Sequence, residues 1–197
     1  MSEERIEPRL PAVSPDEIDD DQWELDGRLR EGISKHLQGF VSERADGGLI
    51  GPFPALQRFP DLGGPTWDLF LALAGNSQLP ADVREVVILR VGSVTTAQYE
   101  LYSHEVRARE AGLSEAVIRT VAAGQRAAEL TEPQAIAFDV TGVLLDGRQV
   151  PNSLYDASVR TFGQRGTAEI AYLAGCYQLI SGLLNLFDVA KPADPAR

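Results

Sequence analysis

The sequence predicts an all-α protein, and three features of it carry that prediction. Apolar residues recur at helical spacing through most of the chain beyond residue 66. Period-two alternation is scarce and no Asn-Gly hairpin signal appears. Helix punctuation is frequent, with Ser or Thr at the starts and Gly at the stops of the periodic segments.

Taken in order, the first element is a short helix expected between about Leu25 and Arg44. Residues 47–65 hold five Gly and four Pro in 19 positions and read as loop with short turns. A helix over Thr66–Gly75 has Thr66 as its N-cap and Gly75 as its stop. Pro80 precedes the next helix, ADVREVVILRVGSV, which is apolar almost all round, the pattern of a helix buried within the molecule. Thr95 and Gln98 form a capping-box pattern opening a helix that runs to Gly112. Ser114 caps a helix ending at Gly124, and Thr131 with Gln134 caps one reaching about Asp146. A short helix over Ser153–Phe162 and a long apolar one from Thr167 to about Val189 complete the chain.

The 197 residues include 29 acidic and 18 basic side chains, for a net charge of −11. Residues 1–26 hold ten of the acidic and two of the basic groups, a local balance of −8. Ser14–Asp26 carries seven carboxylates and buries too little to offset the entropy of ordering, so residues 1–44 read as an acidic leader with one possible short helix. The helical domain then spans 45–197.

Acidity of this kind argues against nucleic-acid binding, which needs clustered Lys and Arg. One Cys and two distant His residues offer neither a disulfide framework nor a metal site. No apolar run approaches the ~20 residues of a membrane span. The N-terminus lacks the basic-then-apolar pattern of a signal peptide, and a cytoplasmic protein is expected. No GxGxxG or GxxxxGK[ST] occurs, so nucleotide binding has no support.

The chemistry is expected on the helix Thr96–Ala111. At 100° per residue, Ala97, Glu100, His104, Ala108 and Ala111 share a face, and Glu100 and His104 stand at the i,i+4 spacing of a carboxylate–imidazole hydrogen bond. A carboxylate neighbour favours the protonated ring and burial the neutral one. The preceding helix supplies Glu85 among Val83, Val86, Val87, Ile88 and Leu89, where a carboxylate needs a partner. The two helices are close enough in sequence to pack as an antiparallel hairpin, bringing Glu85 toward His104. A Glu–His–Glu cluster of this kind suits acid/base work. Arg107 is the best-placed cation for an anionic substrate, and Trp67 with Phe70 is positioned to wall a pocket. Tyr99, Tyr102, Tyr172 and Tyr177 read as packing residues, His36 as an ordinary surface histidine, and Cys176 as a small buried core residue.

The segment REVVILRVGSVTTAQYELYSHEVRAREAG, beginning at Arg84, resembles the carboxymuconolactone decarboxylase family, which shares the alkylhydroperoxidase-D-like fold. Leu79, Pro80, Arg84 and Glu85 carry the resemblance, with Tyr99, Glu100, His104, Ala108 and Gly112, followed by Leu113 and Ser114. It extends more loosely over residues 50–190, to the closing segment around Asn185. The peroxidase branch of the fold has the pattern E-x11-C-x2-C-x3-H. Here Glu85 and His104 keep that separation, but Ala97 and Glu100 occupy the cysteine positions.

The resemblance therefore implies a cofactor-independent, metal-free acid/base enzyme, a lyase or lactone-processing activity, acting on a small anionic organic acid or lactone. His104 would exchange the proton, Glu100 would set its tautomer, and Glu85 would act as a second acid/base or orienting group. Peroxide reduction is the first alternative and a non-catalytic oligomeric binding protein the second. A homo-oligomer, a trimer or a multiple of one, is implied as well.

Overall fold

A computed structural model describes residues 8–192. Among them a 3-10 turn at Pro15–Glu17 is followed by eight helices: α1 (Asp20–His36), α2 (Phe53–Arg58), α3 (Pro60–Gly75), α4 (Ala81–Thr95), α5 (Gln98–Glu110), α6 (Glu115–Ala122), α7 (Glu132–Leu145) and α8 (Asn152–Leu186). The described residues contain no strand beyond one isolated bridge between Glu43 and Leu49, and the fold is all-α as expected.

The all-round apolar sequence of α4 explains its place at the centre. It packs against α5, α6, α7 and α8. On one side Val83, Val87, Ile88 and Val91 meet Val140 of α7 and Ile170 and Leu173 of α8. On another, Val86 and Leu89 meet Ala108, Val117 and Ile118. A separate cluster joins α1, α2 and α3 through Leu25, Leu29, Phe53, Leu56 and Trp67. Each fully buried aliphatic or aromatic side chain in these layers contributes roughly 1.5–3 kcal/mol.

Several boundaries differ from the sequence reading. Helix α1 begins at Asp20, inside the stretch read as a solvated leader, capped by Asp19, whose carboxylate accepts from the Gln22 amide at 2.9 Å. Its Leu25 and Leu29 are buried while Trp23 is exposed.

The Gly/Pro-rich segment is largely helical. Pro54 and Pro60 lie in the first turns of α2 and α3, where proline costs no hydrogen bond. Gly63 lets α3 lie against the backbone of Leu56, since a Cβ there would meet the Leu56 carbonyl oxygen at 2.0 Å. Thr66 is therefore no cap. It sits inside α3 with its hydroxyl donating to the Leu62 carbonyl at 2.8 Å.

The Thr95–Gln98 capping box does not form. Thr95 ends α4, Thr96 takes the left-handed conformation at φ 55°, and Ala97 is the N-cap of α5. The Asn185 amide donates to the Thr95 carbonyl at 2.7 Å and ties this corner to α8. The Ser114 cap and the Thr131–Gln134 capping box both form. The two C-terminal helices run together, broken at Gly163 with φ 69° and ψ 175°.

Candidate active site

The two-residue connection Thr96–Ala97 folds α5 back along α4, and this hairpin sets the site. Glu85, in the second turn of α4, and His104, in the second turn of α5, meet across it. Nδ1 of His104 and Oε2 of Glu85 are 2.8 Å apart, with the side chains 8% and 10% exposed. Nε2 of His104 makes no hydrogen bond to any described residue. The ring stands edge-on to Tyr177 of α8, with centroids 4.9 Å apart and an interplanar angle of 88°.

Glu100 behaves differently from the expectation that it pairs with His104. Its side chain points to α8, where the Ser181 hydroxyl donates to Oε2. Its other oxygen, Oε1, is buried and has no partner among the described residues. Burial pushes the Glu100 carboxyl up to about 8, against the smaller opposing effect of the Ser181 bond. At neutral pH this group is a carboxylic acid with an O–H to donate. The hydrogen-bond partner of His104 is thus Glu85 on the neighbouring helix and not Glu100.

His104 lies between two cavities. One is an apolar slot of about 40 Å³ walled by Phe53, Trp67, Phe70 and Ile180, with Glu100 and His104 on its lining. The other is a polar vestibule of about 300 Å³, lined by Lys35, His36, Arg84, Glu85, Arg107 and Glu110. Leu37, Phe70, His104 and Tyr177 line both.

Trp67 and Phe70 do wall a cavity, stacked at 4.8 Å, and the Trp67 indole donates to the Arg28 carbonyl at 3.1 Å. Arg107 reaches the vestibule but is bonded to Glu110 at 3.2 Å. Tyr99 is a packing residue, its phenol donating to the Val41 carbonyl at 2.7 Å and its pKa raised by burial. Cys176 is buried, and burial raises its thiol to about 11.

Sequence reasoning missed four contributors. His36 is no ordinary surface residue, because the end of α1 brings it with Lys35 to the vestibule. Tyr177 lines both cavities, and Ser181 holds Glu100. These residues come from α1 and α8, distant in sequence from the hairpin, so no local spacing marks them. Among the described residues no cluster of three or more His, Cys, Asp or Glu side chains could hold a metal, and no helix is long and apolar enough to cross a membrane.

Residues 60–141 match the carboxymuconolactone decarboxylase family. No curated protein matches the chain. Among solved structures, the chain is similar to an uncharacterized peroxidase-related protein with an alkylhydroperoxidase AhpD core from Ralstonia eutropha JMP134. The identity is 18%, the TM-score 0.74, and the match covers 94% of this chain and 93% of that one. A debrominase solved in complex with 2,3,4-tribromopyrrole gives 15% identity and a TM-score of 0.72, covering 93% and 91%. A peroxidase-related protein from Silicibacter sp. TM1040 gives 17% and 0.68, covering 93% and 90%. At these identities the likeness shows the fold.

Proposed function

The chain belongs to the carboxymuconolactone decarboxylase family through residues 60–141, and from that premise we propose that it is an acid/base enzyme acting on a small anionic organic acid or lactone. The observation that supports this most directly is the buried Glu85–His104 bond of 2.8 Å, which holds a proton on Nδ1 and leaves Nε2 for chemistry.

In a decarboxylation the substrate's C–CO₂ bond breaks and its electron pair moves into a conjugated carbonyl, giving an enolate. The protonated Glu100, whose Oε1 has no other partner, is suited to donate a hydrogen bond to that oxygen. Protonated His104 then delivers the proton from Nε2 to carbon, and water replaces it. Glu85 keeps the ring oriented and compensates its charge while it is protonated. An isomerisation or lactone opening would use the same donor and acceptor. Lys35, Arg84 and Arg107 in the vestibule outnumber Glu85 and Glu110, which favours an anionic substrate. Trp67 shapes the apolar side.

The test is turnover of carboxymuconolactone and related unsaturated lactones in deuterated water. His104→Ala should lower kcat/KM by about 10³ and Glu85→Gln by about 10–10². Turnover unaffected by both changes would refute the mechanism, and absence of turnover across the panel would favour the non-catalytic binding reading.

The likeness to peroxidase-related structures favours a second reading, peroxide reduction through Cys176. The high pKa of the thiol works against it, because the thiolate is the nucleophile. Peroxide consumption with a dithiol reductant, abolished by Cys176→Ser, would establish this reading in place of the first.

The proposal includes self-association, which α8 supports. Its outward face carries Tyr172, Gly175, Leu179, Gly182 and Leu186, all exposed, with Tyr172, Leu179 and Leu186 at 59%, 47% and 59%. This uncharged stripe at seven-residue spacing is suited to a second copy, in a trimer or a multiple of one.

A further inference from the structure

We propose that Arg84 is the substrate-recognising residue of this site, taking a carboxylate of the substrate in the vestibule between α1 and the α4–α5 hairpin. The inference rests on the acid/base reading above and adds the ligand class and the residue that reads it. It also displaces Arg107, the cation that sequence spacing singles out.

The cations lining the vestibule differ in what they already hold. Lys35 is bonded to Glu31 at 2.6 Å, and Arg107 to Glu110 at 3.2 Å. Arg84 forms no ion pair and no side-chain hydrogen bond with any described residue, and its Nε is buried without a partner. Two other arginines, Arg58 and Arg90, also have a buried unpartnered Nε. Each of them is anchored through a terminal nitrogen, to the Pro11 carbonyl at 3.0 Å and the Gly124 carbonyl at 3.1 Å. Arg84 has no such anchor.

A guanidinium desolvated along one edge and free of partners is an incomplete interaction, because a buried donor without an acceptor carries the full cost of desolvation. A carboxylate completes it with two parallel N–H···O bonds, a geometry that an ammonium cannot offer. The position is also productive. Arg84 precedes Glu85 on the first turns of α4 and lines the same vestibule as His104. A carboxylate bound there places the adjoining carbons beside the imidazole.

The two cavities limit the rest of the molecule. A slot of about 40 Å³ is well short of the ~150 Å³ that takes a benzene ring. The ring or charged head of the substrate therefore occupies the 300 Å³ vestibule, and only a branch of a few atoms, ending in the conjugated carbonyl, passes His104 toward Glu100. The ligand class is a compact carboxylate with a short unsaturated end, small enough for the slot.

Crotonate and its neutral isostere crotonamide are suitable probes, with binding read by saturation transfer on the ligand and by the imidazole resonances of His104. The native protein should bind crotonate in the ~1 mM range and crotonamide about tenfold more weakly. Arg84→Gln should weaken crotonate by about tenfold and leave crotonamide unchanged, while Arg107→Gln should alter crotonate less than about threefold. Arg84→Met keeps the aliphatic stem against its neighbours if the glutamine variant does not fold, and Arg84→Lys should fall between native and glutamine.

Equal crotonate binding by native protein and the Arg84 variants would overturn the proposal, as would a larger loss at Arg107 or no binding to the native protein. Binding is read without turnover, so the two readings fail separately. Protein that is inactive yet binds crotonate through Arg84 refutes only the acid/base reading. Active protein indifferent to Arg84 refutes only this one.

Discussion

Replacing Glu100 by Gln keeps the side chain's size and its contact with Ser181 but removes a group that can ionise inside an apolar wall. Glu100 is 2% exposed, and burial raises its carboxyl from 4.5 to about 8. An acid with a higher pKa in the folded chain binds more protons folded than unfolded between the two values. Its contribution to stability is fully present below 4.5 and is lost as pH rises to about 8. Each unit of pKa difference corresponds to about 1.4 kcal/mol, so from pH 5 to pH 9 the native protein should lose on the order of 4 kcal/mol that Glu100→Gln retains.

Urea unfolding followed by circular dichroism at pH 5, 7 and 9, on both proteins, measures the difference directly. The curves should converge near pH 5 and separate steadily above it. Parallel stability–pH curves would show that Glu100 ionises normally, and its role as a neutral donor would fall with that result. In the same range kcat/KM of the native enzyme should decline through about pH 8 as Glu100 loses its proton.

Two further outcomes test the scaffold. Gly63→Ala places a Cβ 2.0 Å from the Leu56 carbonyl oxygen and should cost about 2–3 kcal/mol, read as a lower urea midpoint with unchanged m. Leu179→Glu puts a charge in the middle of the uncharged α8 stripe and should abolish the proposed self-association without altering the far-ultraviolet spectrum. Sedimentation velocity decides it, and a native protein that is already monomeric refutes the stripe's role.

The parts of the site that could be read from sequence are those set by short-range patterning. The apolar run of α4 marks its burial, and the tight connection to α5 puts Glu85 and His104 on facing helices although they are 19 residues apart. The partner choice of Glu100 could not be read. Residue 100 has His104 one turn ahead on its own helix and Ser181 beside it from α8, and only packing decides between them. The helices of residues 53–64 were hidden because Pro and Gly were read as breakers. Here Pro54 and Pro60 occupy helix starts, Pro65 is carried inside α3, and Gly63 serves a close approach between α3 and the Leu56 backbone. The vestibule was hidden for a different reason. Lys35 and His36 come from the last turn of α1, and Arg84 and Arg107 from α4 and α5, so the cationic lining exists only in three dimensions.

The hairpin gives two carboxyl groups opposite surroundings within one small volume. Glu85 faces an imidazole in a vestibule that also holds Arg84 and Arg107, so it is placed to accept a hydrogen bond. Glu100 faces an apolar slot with one hydroxyl for company, so it is placed to donate one. Such different surroundings suit the first carboxyl to accept and the second to donate, without any further residue. His104 is the only side chain that touches both cavities and carries a titratable nitrogen with no hydrogen bond to a described residue. A substrate anchored at Arg84 and reaching toward Glu100 must cross that nitrogen. In the proposed mechanism the proton moves at Nε2 while the charge that develops on the substrate's oxygen is met on the Glu100 side. On that proposal position 100, a thiol in the peroxidase-branch pattern, would serve proton chemistry through a buried carboxyl whose pKa is raised to about 8.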